Sequence, residues 1–189
     1  PGSSEIYFAP GEIHGGSHKV KIGTAGSVTL LMQCLLPALL KTDVPASLEV
    51  HGGTDVKWAP TVDYFKNVFL PAVGCFGARV NLEVRQRGYY PRGQGIVLLK
   101  VEPRKLKAAH FGDITSVITA ETVLGVSHCS NLPEHVARRQ AEAASKVLQA
   151  AGYEARIALE ALRLPSIGSG ITLWSGYKGA SSLGEMGLP

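Results

Sequence analysis

The chain has 189 residues, 45% of them hydrophobic and only 18% charged, with a formal net charge of +4. It can bury a core in one large or two small domains, and its mild basicity permits a polyanionic partner without requiring one. Cys34, Cys75 and Cys129 are odd in number and far apart, which excludes a disulfide framework and a cysteine-built zinc site and fits a reducing, intracellular setting.

No apolar run reaches the length of a membrane span, because Gln33 and Pro37 interrupt residues 28–40. Neither an initiator methionine nor a signal peptide opens the chain, which reads as a fragment entered in mid-fold. Residues 5–9 and 19–22 alternate like short strands, separated by a turn-rich stretch at 10–16. Residues 27–40 predict a helix that Thr24 or Ser27 can cap. It is apolar nearly all round, so it is expected to be buried, and Pro37 is expected to kink it. Residues 47–51 predict a strand. Pro60 then opens a second helix, with Val62, Phe65, Phe69, Ala72 and Phe76 at helical spacing and Gly77 as its stop. Residues 79–87 alternate strictly, so Val80, Leu82 and Val84 point inward while Arg79, Glu83, Arg85 and Arg87 point outward. A turn at 88–95 returns the chain as a hairpin partner over 96–101. The order from residue 19 to 101 is β-α-β-α-β-β, one layered unit with two helices on one face of a four-stranded sheet.

A basic bridge at 103–110 leads into a second stretch. Residues 114–124 predict a strand, and Asn131 caps a helix with Glu134 completing a capping box. Val136, Ala137, Ala141, Ala144, Val147, Leu148 and Ala151 form its apolar stripe, and Gly152 ends it. Residues 155–162 and 170–174 read as strands, and 179–187 are glycine-rich. The fold class is therefore mixed α/β (α+β).

The densest polar motif is His51-Gly52-Gly53-Thr54-Asp55, followed by Trp58 and Pro60 and then Asp63. Two glycines let backbone approach a ligand closely, and a helix N-terminus beyond them offers N–H groups to an anion. The spacing matches neither familiar glycine-rich nucleotide loop. Asp55 and Asp63 read equally as ligand contacts or as acids favoured by a helix start. Gln33 is a polar side chain in an apolar helix, sharing a face with Thr29, and either satisfies a neighbouring loop or faces a ligand pocket. In Arg87-Gly88-Tyr89-Tyr90-Pro91-Arg92, arginine offers a fork of donors to phosphate and tyrosine a face for a base. With Arg79 and Arg85 this makes either a basic stripe or an ordinary solvated face. The six histidines show no metal-binding spacing, and none stands out as a nucleophile. His128 and Cys129 are neighbours on a strand and so point to opposite faces, which argues against a catalytic pair.

Residues 23–33, the His51–Asp55 motif, residues 59–64, residues 87–95, residues 132–137 and residues 179–185 together, and in this order, resemble the RNA 3'-terminal phosphate cyclase family. The resemblance implies a large domain of repeated β-α-β-α-β-β units with a smaller α/β domain inserted. Residues 1–106 would belong to the large domain, with 19–101 one unit, and 107–189 to the insert. It implies a reaction with ATP and a divalent metal, Mg²⁺ or Mn²⁺, on RNA that ends in a 3'-phosphate. A histidine would take AMP covalently, pass it to the RNA 3'-phosphate, and leave a 2',3'-cyclic phosphate. By the same resemblance Gln33 and Pro60 would lie beside the adenine, Asp63 and Thr54 near the cofactor, and Arg87, Arg92 and Tyr90 near RNA or phosphate. The nucleophilic histidine is expected beyond Pro189, so no catalytic residue is expected within the chain. Gln94 stands where the family has glycine. A cytoplasmic setting, or the nucleoplasm in a eukaryote, follows, with no membrane partner. Two other readings are a non-catalytic, cyclase-like ribosome-assembly protein and a simple RNA-binding module.

Overall fold

The computed structural model describes residues 4–109 and 122–175. The first sheet has the order β1-β2-β4-β3. Strand β1 (Gly16–Lys21) lies parallel to β2 (Ala46–Gly52), which pairs antiparallel with β4 (Gly95–Glu102), and β4 with β3 (Arg79–Gln86). The hairpin β3–β4 thus folds back so that β4 fills the place beside β2. Residues 5–9 form no strand, and Ile6, Tyr7 and Phe8 are exposed. Alternation alone does not make a strand, and this stretch pairs with none of the described ones.

Helix α1 (Val28–Leu39) is capped by Ser27, whose Oγ accepts from the Leu30 N–H at 3.2 Å. Thr24, the other candidate cap, instead turns its hydroxyl to the Gly26 N–H. Val28, Met32, Leu36 and Leu39 bury one stripe against Leu48 and Val50 of β2 and Val97, Leu99 and Val101 of β4. The helix is not buried all round, since Leu30 is 48% exposed. It runs through Pro37 without a break. Having no N–H, Pro37 gives nothing to the Gln33 carbonyl one turn earlier.

The second helix is built in three pieces. Helix α2 (Val62–Tyr64) is capped by Thr61, not opened by Pro60, and passes through a π-helical turn (Phe65–Phe69) into α3 (Leu70–Cys75). In the wide turn the Leu70 N–H reaches back to the Phe65 carbonyl. Pro71 comes next; its ring would crowd the Asn67 carbonyl in a regular α-turn, and a widened turn relieves that crowding. Phe65 and Phe69 stack at 4.9 Å, and Gly77, at φ 87°, ends the helix as expected. Both helices cover one face of the sheet.

The second sheet has the order β6-β5-β7, with β5 (Thr122–Ser130) parallel to β6 (Glu154–Leu162) and antiparallel to β7 (Gly168–Ser175). The strand expected at 114–124 begins, within the described residues, at Thr122. The glycine-rich stretch 179–187 lies outside the described residues. Helix α4 (His135–Ala150) packs Ala137 and Ala141 on β5, where the Ser127 hydroxyl donates to the Ala137 carbonyl at 2.8 Å. The expected capping box does not form. Asn131 takes a left-handed backbone (φ 51°) and its amide donates to the Leu164 carbonyl, while Glu134 turns to Arg138. The asparagine serves the adjoining loop instead of the helix.

Gly88 sits where three backbone segments cross. A Cβ there would run into Gly93 and Gly95 and lie 2.7 Å from the Gly52 carbonyl oxygen. Gly74, in α3, has open space around it. Gly88→Ala should therefore lose about 2–3 kcal/mol by urea unfolding, whereas Gly74→Ala should gain roughly 0.5–1 kcal/mol from helix propensity.

Candidate functional site

Gly52 and Gly53 approach another stretch of backbone closely. Gly53 donates to the Gly26 carbonyl at 2.8 Å and accepts from the Val28 N–H at 2.9 Å. A Cβ on Gly52 would lie 2.7 Å from the Gly26 oxygen. The pair is thus the seat of the 23–27 loop, with Gly52 ending β2 and Gly53 bridged to Ser27. The helix start beyond is closed as well: the Val62 N–H donates to the Thr54 carbonyl and the Tyr64 N–H to Thr61.

What those loops position is a buried ionic cluster. Arg87 donates to both oxygens of Asp63, at 2.8 and 3.0 Å, to Asp55 Oδ2 at 3.3 Å and to Glu160 Oε2 at 2.8 Å. Arg87 is 5% exposed, against the outward position that strict alternation predicts. The cause is a bulge. Val84 pairs with Val97 but Gln86 with Ile96, so Arg85 has no partner of its own and the faces exchange beyond it. Arg87 therefore turns inward, and its donors serve carboxylates.

The second sheet meets this cluster directly. His128 of β5, fully buried, has Nε2 3.5 Å from Asp55 Oδ1 and 3.9 Å from Asp63 Oδ2. Its Nδ1 shares a 2.7 Å hydrogen bond with the Tyr89 hydroxyl. Thr61 and Thr172 share another at 2.8 Å, and Ser166 donates to the Gly93 carbonyl at 3.1 Å. Burial works to raise the Asp55 pKa, yet His128, Arg87 and the Thr54 hydroxyl outweigh it and hold the carboxyl below its usual value. Burial also opposes the charge on Arg87, but hydrogen bonds to Asp63 and Glu160 raise its pKa further. Tyr89 is pushed up, first by burial and then by the nearby Asp55 charge, so its phenol stays protonated.

The remaining candidates divide clearly. Thr54 is 1% exposed, accepting from the Gly88 N–H at 2.9 Å and donating to Asp55 at 2.7 Å, so it stands as a strut behind the cluster. Asp63 is buried but lines a cleft of about 580 Å³ that also touches Lys66, Arg156, Glu160 and Trp174. Gln33 is half-buried on α1; one turn before it, Thr29 donates to the Pro60 carbonyl at 2.8 Å, bringing that helix against the Pro60 loop. Tyr90 and Arg92 are exposed on the loop after β3. Of the two readings of the β3 arginines, the pairing favours an ordinary face over a basic stripe: Arg79 faces Glu102, and Arg85 faces Glu49 and Glu83. Cys129 is buried on the α4 side of β5, away from His128.

His128, Tyr89 and Glu160 escaped the sequence reading as site residues. Their partners lie 39 and 73 positions away, and no spacing pattern reports such pairs. Parity was the one available signal, since His128 must face opposite to the α4 side of β5. Asp55, Asp63 and His128 each offer one ligand atom within 4.8 Å of the others, so among the described residues these can hold a metal ion.

The fold and its cluster define a two-sheet α+β protein whose sheets are joined by a buried arginine–carboxylate–histidine network. The sequence profile of RNA 3'-terminal phosphate cyclase matches residues 1–174, and the chain belongs to that family. It is 54% identical to the RNA 3'-terminal phosphate cyclase of Archaeoglobus fulgidus over 186 residues, which is 98% of this chain and 55% of the relative. It is 48% identical to that of Methanosarcina mazei (100% of this chain, 58% of the relative). With that of Pyrobaculum aerophilum it shares 41% (100% and 55%). The chain thus spans little more than half the length of these curated relatives.

Two outcomes follow from the charges. Arg87→Met removes the cation from among buried carboxylates and should cost about 3–5 kcal/mol in urea unfolding at neutral pH. Glu49, bonded to Lys19 at 2.7 Å and to His51 at 2.7 Å, has its pKa lowered to about 2. Because the folded pKa is depressed, its contribution to stability is present above the ordinary glutamate pKa and is lost as pH falls towards 2. Carboxyl carbon NMR should show Glu49 titrating near 2, and Lys19→Ala should raise that value.

Proposed function

We propose that this chain supplies one part of an enzyme that converts an RNA 3'-terminal phosphate to a 2',3'-cyclic phosphate with ATP. The observation that carries the reading is the family match over residues 1–174. In the proposed sequence a histidine nitrogen attacks the α-phosphorus of ATP and pyrophosphate leaves. The RNA 3'-phosphate oxygen then displaces the histidine from the α-phosphorus, and the neighbouring 2'-hydroxyl closes on the phosphorus of the RNA 3'-phosphate with release of AMP. The nucleophile in this reading lies C-terminal to residue 189 of a longer parent, and residues 1–106 and 107–189 belong to the large and inserted domains. A divalent cation, Mg²⁺ or Mn²⁺, would neutralise triphosphate charge. The setting is the cytoplasm, or the nucleoplasm of a eukaryote. Among the described residues no helix is long and apolar enough to cross a membrane.

Gln33 and Pro60 take the adenine in this reading. The Thr29–Pro60 hydrogen bond supports it, because it holds the α1 face that carries Gln33 beside the Pro60 loop. Arg92 and Tyr90 take RNA. Tyr90 is 76% exposed, and Trp58, on the neighbouring loop, is 97% exposed with a left-handed φ of 67°. Two open aromatic faces beside Lys57 and Arg92 are the composition of a single-strand stacking surface. Asp63, Thr54 and Arg87 act from behind by fixing the loops. The neutralised arginines on β3 weaken the alternative of a bare RNA-binding module.

The test is incubation of the full-length parent with [α-³²P]ATP and Mg²⁺ or Mn²⁺. An acid-labile protein–AMP adduct and cyclisation of a 3'-phosphorylated RNA are expected, and Gln33→Ala should raise the KM for ATP. The 189-residue chain alone should form no adduct. Absence of both adduct and cyclisation in the parent would sink the reading and favour a non-catalytic ribosome-assembly role.

A further inference from the structure

Two buried polar atoms face each other in the ionic cluster without a hydrogen bond. Asp55 Oδ1 and His128 Nε2 have no partner, although the two side chains are 7% and 0% exposed. They lie 3.5 Å apart, and Asp63 Oδ2 is 3.9 Å from the same nitrogen. Those gaps are too long for hydrogen bonds and close to the separation of ligands around one ion: at metal–ligand distances of about 2.0–2.2 Å, neighbouring ligands stand roughly 3–3.6 Å apart. We propose that Asp55, Asp63 and His128 form a binding site for one first-row divalent cation, Zn²⁺ or Mn²⁺.

Charge, orientation and access all agree. Asp55, Asp63 and Glu160 face a single guanidinium, Arg87, so the cluster is short of two positive charges, which one divalent ion supplies. The carboxylates are already aimed. Asp55 is pinned through Oδ2 by Thr54 and Arg87, leaving Oδ1 turned to the histidine, and Asp63 is clamped by both arms of Arg87. His128 bonds the Tyr89 oxygen through Nδ1 at 2.7 Å. With the proton on Nδ1, the Nε2 lone pair is presented to the ion, the arrangement in which a metal-bound imidazole is held by its second nitrogen. Asp63 also lines the 580 Å³ cleft, which gives an ion a way in. An imidazole beside two carboxylates suits Zn²⁺ or Mn²⁺ better than Mg²⁺, which favours oxygen ligands and keeps its waters. The site rests on this geometry and is independent of the cyclase reading.

The experiment strips the full chain with EDTA, then titrates it with ZnCl₂, MnCl₂ or MgCl₂ by calorimetry, with metal content measured by plasma mass spectrometry. One Zn²⁺ or Mn²⁺ per chain is expected, with Mg²⁺ at least about tenfold weaker. Tyr89→Phe should weaken binding by roughly 10–100-fold, and Asp55→Asn or His128→Gln by more. No uptake by the wild type, or uptake unchanged in Asp55→Asn and His128→Gln, overturns the proposal. If those variants fail to fold by circular dichroism, X-ray absorption on the metal-loaded wild type decides. A shell of one imidazole nitrogen with carboxylate oxygens supports the site; a shell with sulfur, or with oxygen alone, overturns it.

Discussion

The structure depends on one buried guanidinium. Arg87 holds Asp63 at the start of α2, Asp55 in the loop after β2 and Glu160 on β6, so three segments are fixed by its forked donors. A lysine could not replace it, because three acceptors in different directions need a planar fork. Buried ion pairs are poor sources of net stability, since desolvation offsets most of the attraction. Here the return is geometric. The first sheet presents its acids to a histidine and a glutamate of the second, and Tyr89 closes the same junction from the hairpin side.

Packing around that junction explains the glycines. Gly168 lies under the Tyr89 ring and Gly170 against the His128 ring, so β7 can pass close to both only without side chains. Gly52, Gly53, Gly88 and Gly93 play the same part among the loops of the first sheet. The polar network and the glycines therefore form one device: the donors fix direction, and the missing Cβ atoms set distance.

Much of the fold was legible in the sequence because it rests on local periodicity. The β-α-β-α-β-β order, the stop at Gly77, the stop at Gly152 and the four strands of the first sheet all come from patterns a few residues long. Less of the site was legible. Asp55 and Asp63 could be noticed, but their choice between helix start and ligand depends on an arginine brought in by the hairpin. Thr54 and Arg87 were expected to face ligands and are buried instead. The misplacement of Arg87 has a single cause, the bulge, which period-two reading cannot detect because it needs the register of the partner strand. The false strand at 5–9 and the unformed box at Asn131 are failures of the other kind: the first pattern pairs with none of the described strands, and the asparagine of the second is drawn to the Leu164 carbonyl.

That bulge has a consequence for how the chain tolerates change in length. Arg85 is the extra residue between the Val84–Val97 and Gln86–Ile96 pairs. Deleting it would repair the ladder by the rules of regular pairing and leave Gln86 opposite Ile96, so residue 87, then three places after Glu83, would still look inward. The shortened strand would keep the cation at its centre, whereas a regular ladder built from all of the residues would turn it outward. Irregularity at one position is thus what allows a strand of this length to offer its first half to solvent on a given parity and its last residue to the interior, and Arg85 is the residue whose loss leaves that facing intact.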